Sequence, residues 1–453
     1  MIAWGALAIA LAVQQGAADR PLAERLVAVR VHGNHTTPDA EVIALTGLTV
    51  GGPLDAAAPA QAVQRLRASG RFDGVEVRKR YASLTDPTAV VLVFIVDEKP
   101  PPDVAMPGPL RPLGRLRQAL MVLPILDYED GYGLSYGGRF SFVEPFGPRS
   151  RITVPLTWGA WRRAAIEGDK RFTRGPISRA AAGAAVGRRE HPFYDRHDRR
   201  FELWGRVERA LVPSLRAGGE LRWSDISFGP GDVAEGDPDG QRLDDRLMTI
   251  GADLVLDTRQ DPTFPRNAVY ARAAWERLRF DRPVVLPAAP AAASSASAAQ
   301  AAVPDAAADR TVNRYTLEGR GYVGVAGSSV LSVRVLHGWS DRPLPPYEQW
   351  LLGGASNLRG FRAGTAVGDR LMAVSTELRL PVTSPLNVGR AGFMVFADTG
   401  VVYPDGARLR DQEWQRGFGG GVFVAATVFQ LQIAVARGVG GATRVHVTGG
   451  ASF

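Results

Sequence analysis

From about residue 117 to the C-terminus the chain offers no segment with a helical repeat. Sixteen stretches of roughly 9–14 residues instead alternate apolar side chains with polar or small ones. They begin with ALMVLPILDYE and LSYGGRFSFVE and end with FQLQIAVAR and RVHVTGGASF. No uninterrupted apolar run in this region is long enough for a spanning helix. Any membrane span here must therefore be built from strands, and each stretch is near the length that crosses a bilayer at a tilt. An even strand number is usual for single-chain bacterial barrels. In lipid every backbone group must be paired, so such a sheet has to close. The expected fold is mainly β, with a 16-stranded antiparallel transmembrane β-barrel over residues 117–453.

The connections test this independently. If the first strand starts in the periplasm, connections from odd to even strands face outward. They include HPFYDRHDRR (191–200), GPGDVAEGDPDGQRLDD (229–245), 281–311, 340–370 and PDGARLRDQEWQR (404–416). The even-to-odd ones, EPFGPRS, VPS, RQDPTFPR, GS and TSPLN, are shorter. Long loops on one side and short turns on the other is the asymmetry of outer-membrane barrels, and a sandwich would not need it. The last strand shows two faces: Val445, Val447, Gly449, Ala451 and Phe453 toward lipid, and Arg444, His446, Thr448, Gly450 and Ser452 toward the lumen. Phe453 would sit in the aromatic girdle. Within the outward connection 281–311, the low-complexity segment 288–308 reads as disordered, with Pro290 and Pro304 opposing a helix.

Upstream, an apolar run from Ile2 to Val13 ends in small residues, with Gly16 and Ala18 spaced as a cleavage site. Residues 1–18 therefore read as a secretory signal, which implies export. Residues 24–98 form a separate unit. VAVRVHG alternates, Thr37 fits an N-cap with Pro38 at the first helical position, and 55–69 make a second helix with Ala62, Val63 and Leu66 on one face before Gly70. Two strands joined near Asp86-Pro87 follow. This strand-helix-helix-strand-strand order, with the phrase GRFDGVEVR, resembles a POTRA domain. Such an α+β domain offers a sheet edge to which an unfolded segment can add by backbone hydrogen bonds, whatever its sequence. KPPPDVAMPGPLRPLG, within 99–116, reads as a stiff linker.

Four stretches of the barrel region carry a further resemblance. LRGF (Leu358, Arg359, Gly360, Phe361) resembles the VRGF/Y motif of the BamA/TamA family of outer-membrane assembly factors, with Leu in place of Val. DTRQDPTFPRNAVY (257–270) resembles that family's D-x-R-x-x-P-x-x-P-x-G turn, although Asn267 and Ala268 stand where glycine is usual. STELRLPV (375–382) and FADTG (396–400) are similar to the strands that follow its loop. The resemblance implies that loop 340–370 folds back into the barrel. Parity places Glu377 and Asp398 on the lumen side, where a planar guanidinium binds carboxylates well. Arg359 is thus expected to pair chiefly with Asp398 and with Glu377, Gly360 to permit close backbone approach, and Phe361 to pack on the inner wall. Without these neighbours GGASNLRGFRAG (353–364) would read as an ordinary surface loop.

The implied activity is assembly of other barrels through a lateral seam between the first and last strands. Pro124 in the first strand cannot donate a ladder hydrogen bond, and Gly449-Gly450 in the last weakens strand order. A disulfide staple from Leu123 to the last strand is expected to abolish activity. Expected partners are unfolded outer-membrane or secreted proteins and outer-membrane lipids, with accessory lipoproteins or a periplasmic chaperone as further candidates. No cofactor or nucleotide is called for. A two-partner-secretion-type polypeptide transporter, a lipid-handling barrel and a plain porin compete; one POTRA-like unit rather than two disfavours the first, and the periplasmic unit and plugging motif disfavour the porin.

Composition narrows the rest. The absence of cysteine excludes thiol catalysis and thiolate zinc sites. The net charge of +8 is spread singly along strands, as in RITV, EGRGY and TELRL, so no patch for nucleic acid forms. His191, Asp195, His197 and Asp198 could bind a metal, but a solvated charged loop is the simpler reading. Neither G-x-S-x-G nor a G-x-x-x-x-G-K-[ST] phosphate loop occurs, and no enzyme is expected.

Overall fold

The computed structural model describes residues 24–34, 37–82, 86, 88–98, 120–230, 242–281, 310–383, 389–426 and 430–450. The expected signal 1–18, the linker 99–116, the low-complexity segment 288–308 and Phe453 lie outside the described residues.

The N-terminal unit runs β1 (Arg25–His32), α1 (Asp39–Thr46), α2 (Ala58–Ala68), β2 (Phe72–Tyr81) and β3 (Ala89–Glu98). Its sheet order is β1-β3-β2, with β1 parallel and β2 antiparallel to β3. The central strand reads AVVLVFIVDE and is mostly buried, while both flanking strands leave an edge. Ala62 and Leu66, four apart on α2, pack with Val42 of α1 on Leu26, Leu92 and Phe94. Gly70 ends α2 in the left-handed conformation at φ 72°. Thr37 is not the cap of α1: Pro38 holds that position with no side-chain cap bond. The Thr37 backbone N–H and hydroxyl both donate to Glu98 instead. A carboxylate at the end of the neighbouring strand outcompetes the helix for that side chain.

The second unit is a closed antiparallel barrel of sixteen strands. In chain order they are β4 (Leu120–Glu129), β5 (Gly133–Val143), β6 (Ser150–Gly159), β7 (Trp161–Arg171), β8 (Arg179–His191), β9 (Arg196–Val212), β10 (Leu215–Gly229) and β11 (Leu243–Asp257). Next come β12 (Ala268–Phe280), β13 (Thr311–Gly324) and β14 (Val330–Ser340). A small hairpin, β15 (Trp350–Leu352) with β16 (Ala366–Gly368), lies within the connection to β17 (Arg370–Thr383). The ring finishes with β18 (Gly389–Tyr403), β19 (Gln415–Ala426), β20 (Gln430–Gly438) and β21 (Thr443–Gly450). Each strand pairs with the next, and β21 returns to β4.

The faces are inverted relative to a water-soluble sheet. Along β11, Thr249 and Asp253 point inward and are buried, while Met248, Ile250 and Leu254 are each more than 40% exposed on the outside. Val122, Leu126, Ile166, Phe393, Phe418 and Val445 continue this outer apolar belt. Among the described residues the interior is held by arginine–carboxylate pairs, Arg206 with Asp253 and Arg320 with Glu318 among them. Only an apolar solvent outside and a polar filling inside make that arrangement favourable.

Connections 230–242, 281–310, 341–369 and 404–414 are the four longest, and all leave one end of the barrel. HPFYDRHDRR is a correction. β8 runs to His191 and β9 begins at Arg196, leaving residues 192–195 as the turn. His191 and Asp198 are buried rather than solvated, because the strands extend past the belt and carry lumen-side partners. Asp198 pairs with Arg200 at 2.8 Å, and His191 Nδ1 accepts the Tyr194 N–H at 3.3 Å. At the opposite end, the turn 258–267 is tied by side-chain hydrogen bonds. Arg259 grips Asp257 through two hydrogen bonds of 2.9 Å, and Asp261 accepts from the Thr263 N–H. Asn267 takes φ 48°, filling the left-handed position where the resembled motif has glycine. Arg80 of β2 meets Asp261 at 3.1 Å, so the N-terminal sheet touches the barrel at this end.

Candidate functional site

The connection 341–369 enters the barrel and lies against its inner wall. Its compactness comes from backbone bonds typical of glycine-rich turns. Gly354 N–H donates to Phe361 O at 2.9 Å, and Asn357 bridges Gly353 N–H and Leu351 O, both at 2.9 Å. The bridge brings Leu358 inward to full burial and presents Arg359 to β17 and β18.

Arg359 is only 9% exposed and spends every guanidinium nitrogen on a partner. Nε and Nη2 form a bidentate pair with Asp398 at 2.7 and 2.8 Å. Nη1 reaches Glu377 at 2.5 Å, and Nη2 also reaches the Ser375 hydroxyl at 3.0 Å. The Arg359 backbone N–H donates to Asp398 at 2.9 Å, and the ring of Phe396 lies 3.4 Å under the guanidinium carbon. Arg379 holds the other oxygen of Glu377 at 2.7 Å. Burial alone would lower the Arg359 pKa, but the hydrogen bonds and charges of Asp398 and Glu377 carry it above its ordinary value. A fork facing two carboxylates explains why lysine would not substitute.

The wall beneath is stripped of side chains. A Cβ at Gly360 (φ 92°) would stand 2.6 Å from the Gly438 backbone nitrogen, and one at Gly417 would strike the Arg359 carbonyl. Phe361 lies over Gly438 in the same cleared strip. Gly417 of β19 and Gly438 of β20 thus form the docking floor for the loop.

Two residues near the ends of the barrel sheet complete the site. Gly360 N–H donates to His446 Nε2 of β21 at 3.0 Å. Ala363 N–H donates to the carbonyl of Asp130, just after β4, at 2.8 Å. Asp130 in turn pairs with Arg444 of β21 at 2.5 Å. The loop therefore touches both strands of the closing seam. That seam is sparse: among the described residues β21 and β4 are paired only at Val447 with Tyr128, while every other neighbouring pair shares six to fifteen residue pairs. Pro124 lies in β4 opposite Gly138 of β5, and Gly449 and Gly450 pair with Leu431 and Gln430 of β20. Those three expected seam residues therefore sit on the correct strands without making ladder pairs to each other.

A second anchor was not legible in the sequence. Glu348, in the short turn Pro346–Glu348, pairs with Arg200 of β9 and Arg314 of β13, both at 2.7 Å. The Tyr347 hydroxyl donates to Asp245 at 2.7 Å, and Leu344 and Tyr347 pack among Phe228, Leu278 and Phe280. Burial would raise the Glu348 pKa, but Arg200 and Arg314 hold it below the ordinary range. No motif announces this anchor, because its members are scattered over three strands. Its one sequence signal is an aromatic-acid-aromatic cluster, YEQW, inside a loop. Among the described residues no three His, Asp or Glu side chains are grouped to hold a metal.

A plugged, polar-lined barrel with a docked loop and an N-terminal α+β sheet is a specific combination. The Omp85 superfamily domain matches residues 129–442, and the POTRA model, a surface antigen variable number repeat, matches residues 25–99. The chain belongs to the Omp85 superfamily. This Omp85 chain is similar in fold to BamA from Haemophilus ducreyi lacking POTRA domains 1–3, at 13% identity and a TM-score of 0.58. That match covers 95% of this chain and 85% of the other. CdiB from Acinetobacter baumannii matches at 12% identity and a TM-score of 0.50, covering 94% and 73%. No protein with a curated description matches the sequence.

Proposed function

We propose that this Omp85 protein resides in the bacterial outer membrane, with its POTRA domain in the periplasm, and inserts β-barrel proteins through a lateral seam between β4 and β21. One observation carries the reading: among the described residues every other pair of neighbouring barrel strands shares at least six residue pairs, whereas at the seam Val447 and Tyr128 make the single pair. Strands held by one pair separate at small cost, and the freed edge of β4 offers unpaired backbone groups to an incoming strand. The loop supports the same view. It is bonded to β21 through His446 and to the β4 end through Asp130, so its position is coupled to seam closure. An anchored loop in the lumen favours a lateral route over a polypeptide pore through the barrel axis.

The clients on this reading are unfolded outer-membrane proteins, which add to sheet edges at the POTRA domain and at β4. The protein acts as an assembly factor without nucleotide, metal or enzymatic step. A staple tests the seam. Tyr128→Cys with Val447→Cys places two thiols on the paired residues of a chain that has no other cysteine. Oxidation is expected to stop insertion of a reporter barrel, and reduction to restore it; full activity of the oxidised protein would refute lateral opening. Depletion separates the transporter and lipid-handling readings. Loss of several unrelated barrels from the outer-membrane proteome supports an assembly factor, whereas loss of one secreted protein, or altered lipids alone, does not.

A further inference from the structure

The connection between β11 and β12, residues 258–267, does more than reverse the chain. It is the longest connection at its end of the barrel, and it folds inward. Asp261, Thr263 and Phe264 are each at most 8% exposed. The Phe264 ring stacks on Phe423 of β19 with centroids 5.8 Å apart, and the guanidinium of Arg390 on β18 lies over it at 4.8 Å. Gln430 of β20 donates to the Thr263 carbonyl at 3.4 Å. In the ring, β13, β14 and β17 separate β12 from β18, so the turn reaches across the lumen to another wall.

That wall is the one that holds Arg359. Phe264 shares an apolar cluster with Phe396 and Phe423. Phe396 lies under the Arg359 guanidinium, and Arg379, which holds Glu377, lies over the Phe423 ring at 5.7 Å. Two rings thus stand between the turn and the loop tip.

On its other side the same turn meets the N-terminal unit. Asp261 uses one oxygen to accept the Thr263 N–H at 3.0 Å, which shapes the turn, and the other to pair with Arg80 of β2 at 3.1 Å. β2 touches a second turn as well: a Cβ at Gly74 would lie 3.5 Å from Nε of Arg149, just before β6. Along a strand the two contacts are about 20 Å apart, so β2, an edge strand of its sheet, bridges the turns before β6 and before β12. The Arg80 contact is the weaker of the two arginine anchors. Its Nη2 is buried with no partner among the described residues, whereas Arg359 binds Asp398 through two nitrogens.

We propose that residues 258–267 are a positioning element for the loop tip, and that docking of β2 on Asp261 through Arg80 holds this element, the Arg359 site and the seam in their closed arrangement. With Arg80 on Asp261, Phe264 presses on Phe423 and Phe396, and the tip keeps its bonds to Asp398 and His446. Displacement of β2, as when an unfolded client strand adds to its edge, frees Asp261, loosens the two rings and lets the tip part from β21. The link to clients rests on the insertion reading above; the mechanical link from Arg80 to the tip does not.

The test is hydrogen–deuterium exchange on the full-length protein in phospholipid nanodiscs, without client. The amides to follow are those of β21 and of the tip, where Gly354, Arg359, Gly360 and Ala363 donate in the closed arrangement. Arg80→Ala lies outside the barrel and leaves every lumen side chain in place. It is expected to raise exchange over 353–364 roughly threefold or more, with a smaller rise over β21 and none over β7 and β8 on the far wall. Phe264→Leu, at the inner end of the element, is expected to raise exchange in the same peptides, and the double variant by less than the product of the two single effects. Tip exchange at the wild-type level in Arg80→Ala, a rise spread evenly over all strands, or independent effects of the two substitutions would each overturn the proposal. A seam that stays fully active when stapled would instead sink the insertion reading and leave the coupling standing.

Discussion

The inner loop is held at two points, and the two are mirror images in charge. At the tip the loop supplies the cation, Arg359, and the wall supplies the acids Asp398 and Glu377. At the stem the loop supplies the acid, Glu348, and the wall supplies Arg200 and Arg314. The tip sits on a glycine-cleared floor, whereas the stem sits in a cluster of large apolar side chains. A short backbone-bound tip places one residue with high accuracy. A stem packed on Phe228, Leu278 and Phe280 tolerates more variation and supplies burial instead. The tip therefore fixes one short stretch beside the seam strands, and the stem holds the rest of the loop inside.

Breaking the tip should cost most. Arg359→Ala leaves Asp398 buried without its cation and Glu377 with Arg379 alone, a loss of about 3–5 kcal/mol for a broken buried pair. The expected outcome is a clearly lower melting temperature in the heat-modifiability assay and loss of client insertion. Removing the stem acid, Glu348→Ala, should cost less, about 2–3 kcal/mol, because Arg200 keeps Asp198 and Arg314 keeps Glu276. Urea midpoints of the two variants, measured side by side, would rank the anchors; a larger effect at the stem would reverse the comparison.

Smaller changes sharpen it. Tyr347→Phe removes one hydrogen bond to Asp245, which still accepts from the Arg246 and Asp281 backbone, so about 1–2 kcal/mol is expected. Arg444→Ala breaks a partly exposed pair with Asp130 and should cost under about 1 kcal/mol. Its distinguishing effect is on the seam: disulfide formation between Tyr128→Cys and Val447→Cys should slow as the strands separate more often. The stem also carries the smallest, pH-dependent difference. The Glu348 pKa is lower in the folded protein than its ordinary value near 4.5, so its contribution is complete above that pH. It is lost as pH falls below 4.5 through the folded value. Glu348→Gln should therefore flatten the stability profile only on the acid side.

Much of the site could be read from the chain because it is built from a contiguous motif and two strands of known parity. LRGF, STELRL and FADTG together locate Arg359, Glu377 and Asp398, since a period of two assigns each strand residue to a face. His446 was placed on the lumen face by the same rule, but its bond to Gly360 was not, because 86 residues separate the two. Arg444 and Asp130 are 314 residues apart and meet only because the barrel closes. The stem is illegible for a related reason: HPFYDRHDRR, which ends at Arg200, reads as loop, whereas β9 begins at Arg196 and turns that side chain inward. Charged residues at a barrel rim look like solvated loop until lumen partners are known.

By itself the sequence determined the strand count, the inward and outward faces and the α+β unit ahead of the barrel. Those follow from local periodicity and from a membrane that forbids unpaired backbone. Only the tertiary structure decided how strongly the first and last strands join and which strand-end charges meet. Each depends on the register between strands, and register is fixed by closure of the whole ring rather than by any one segment.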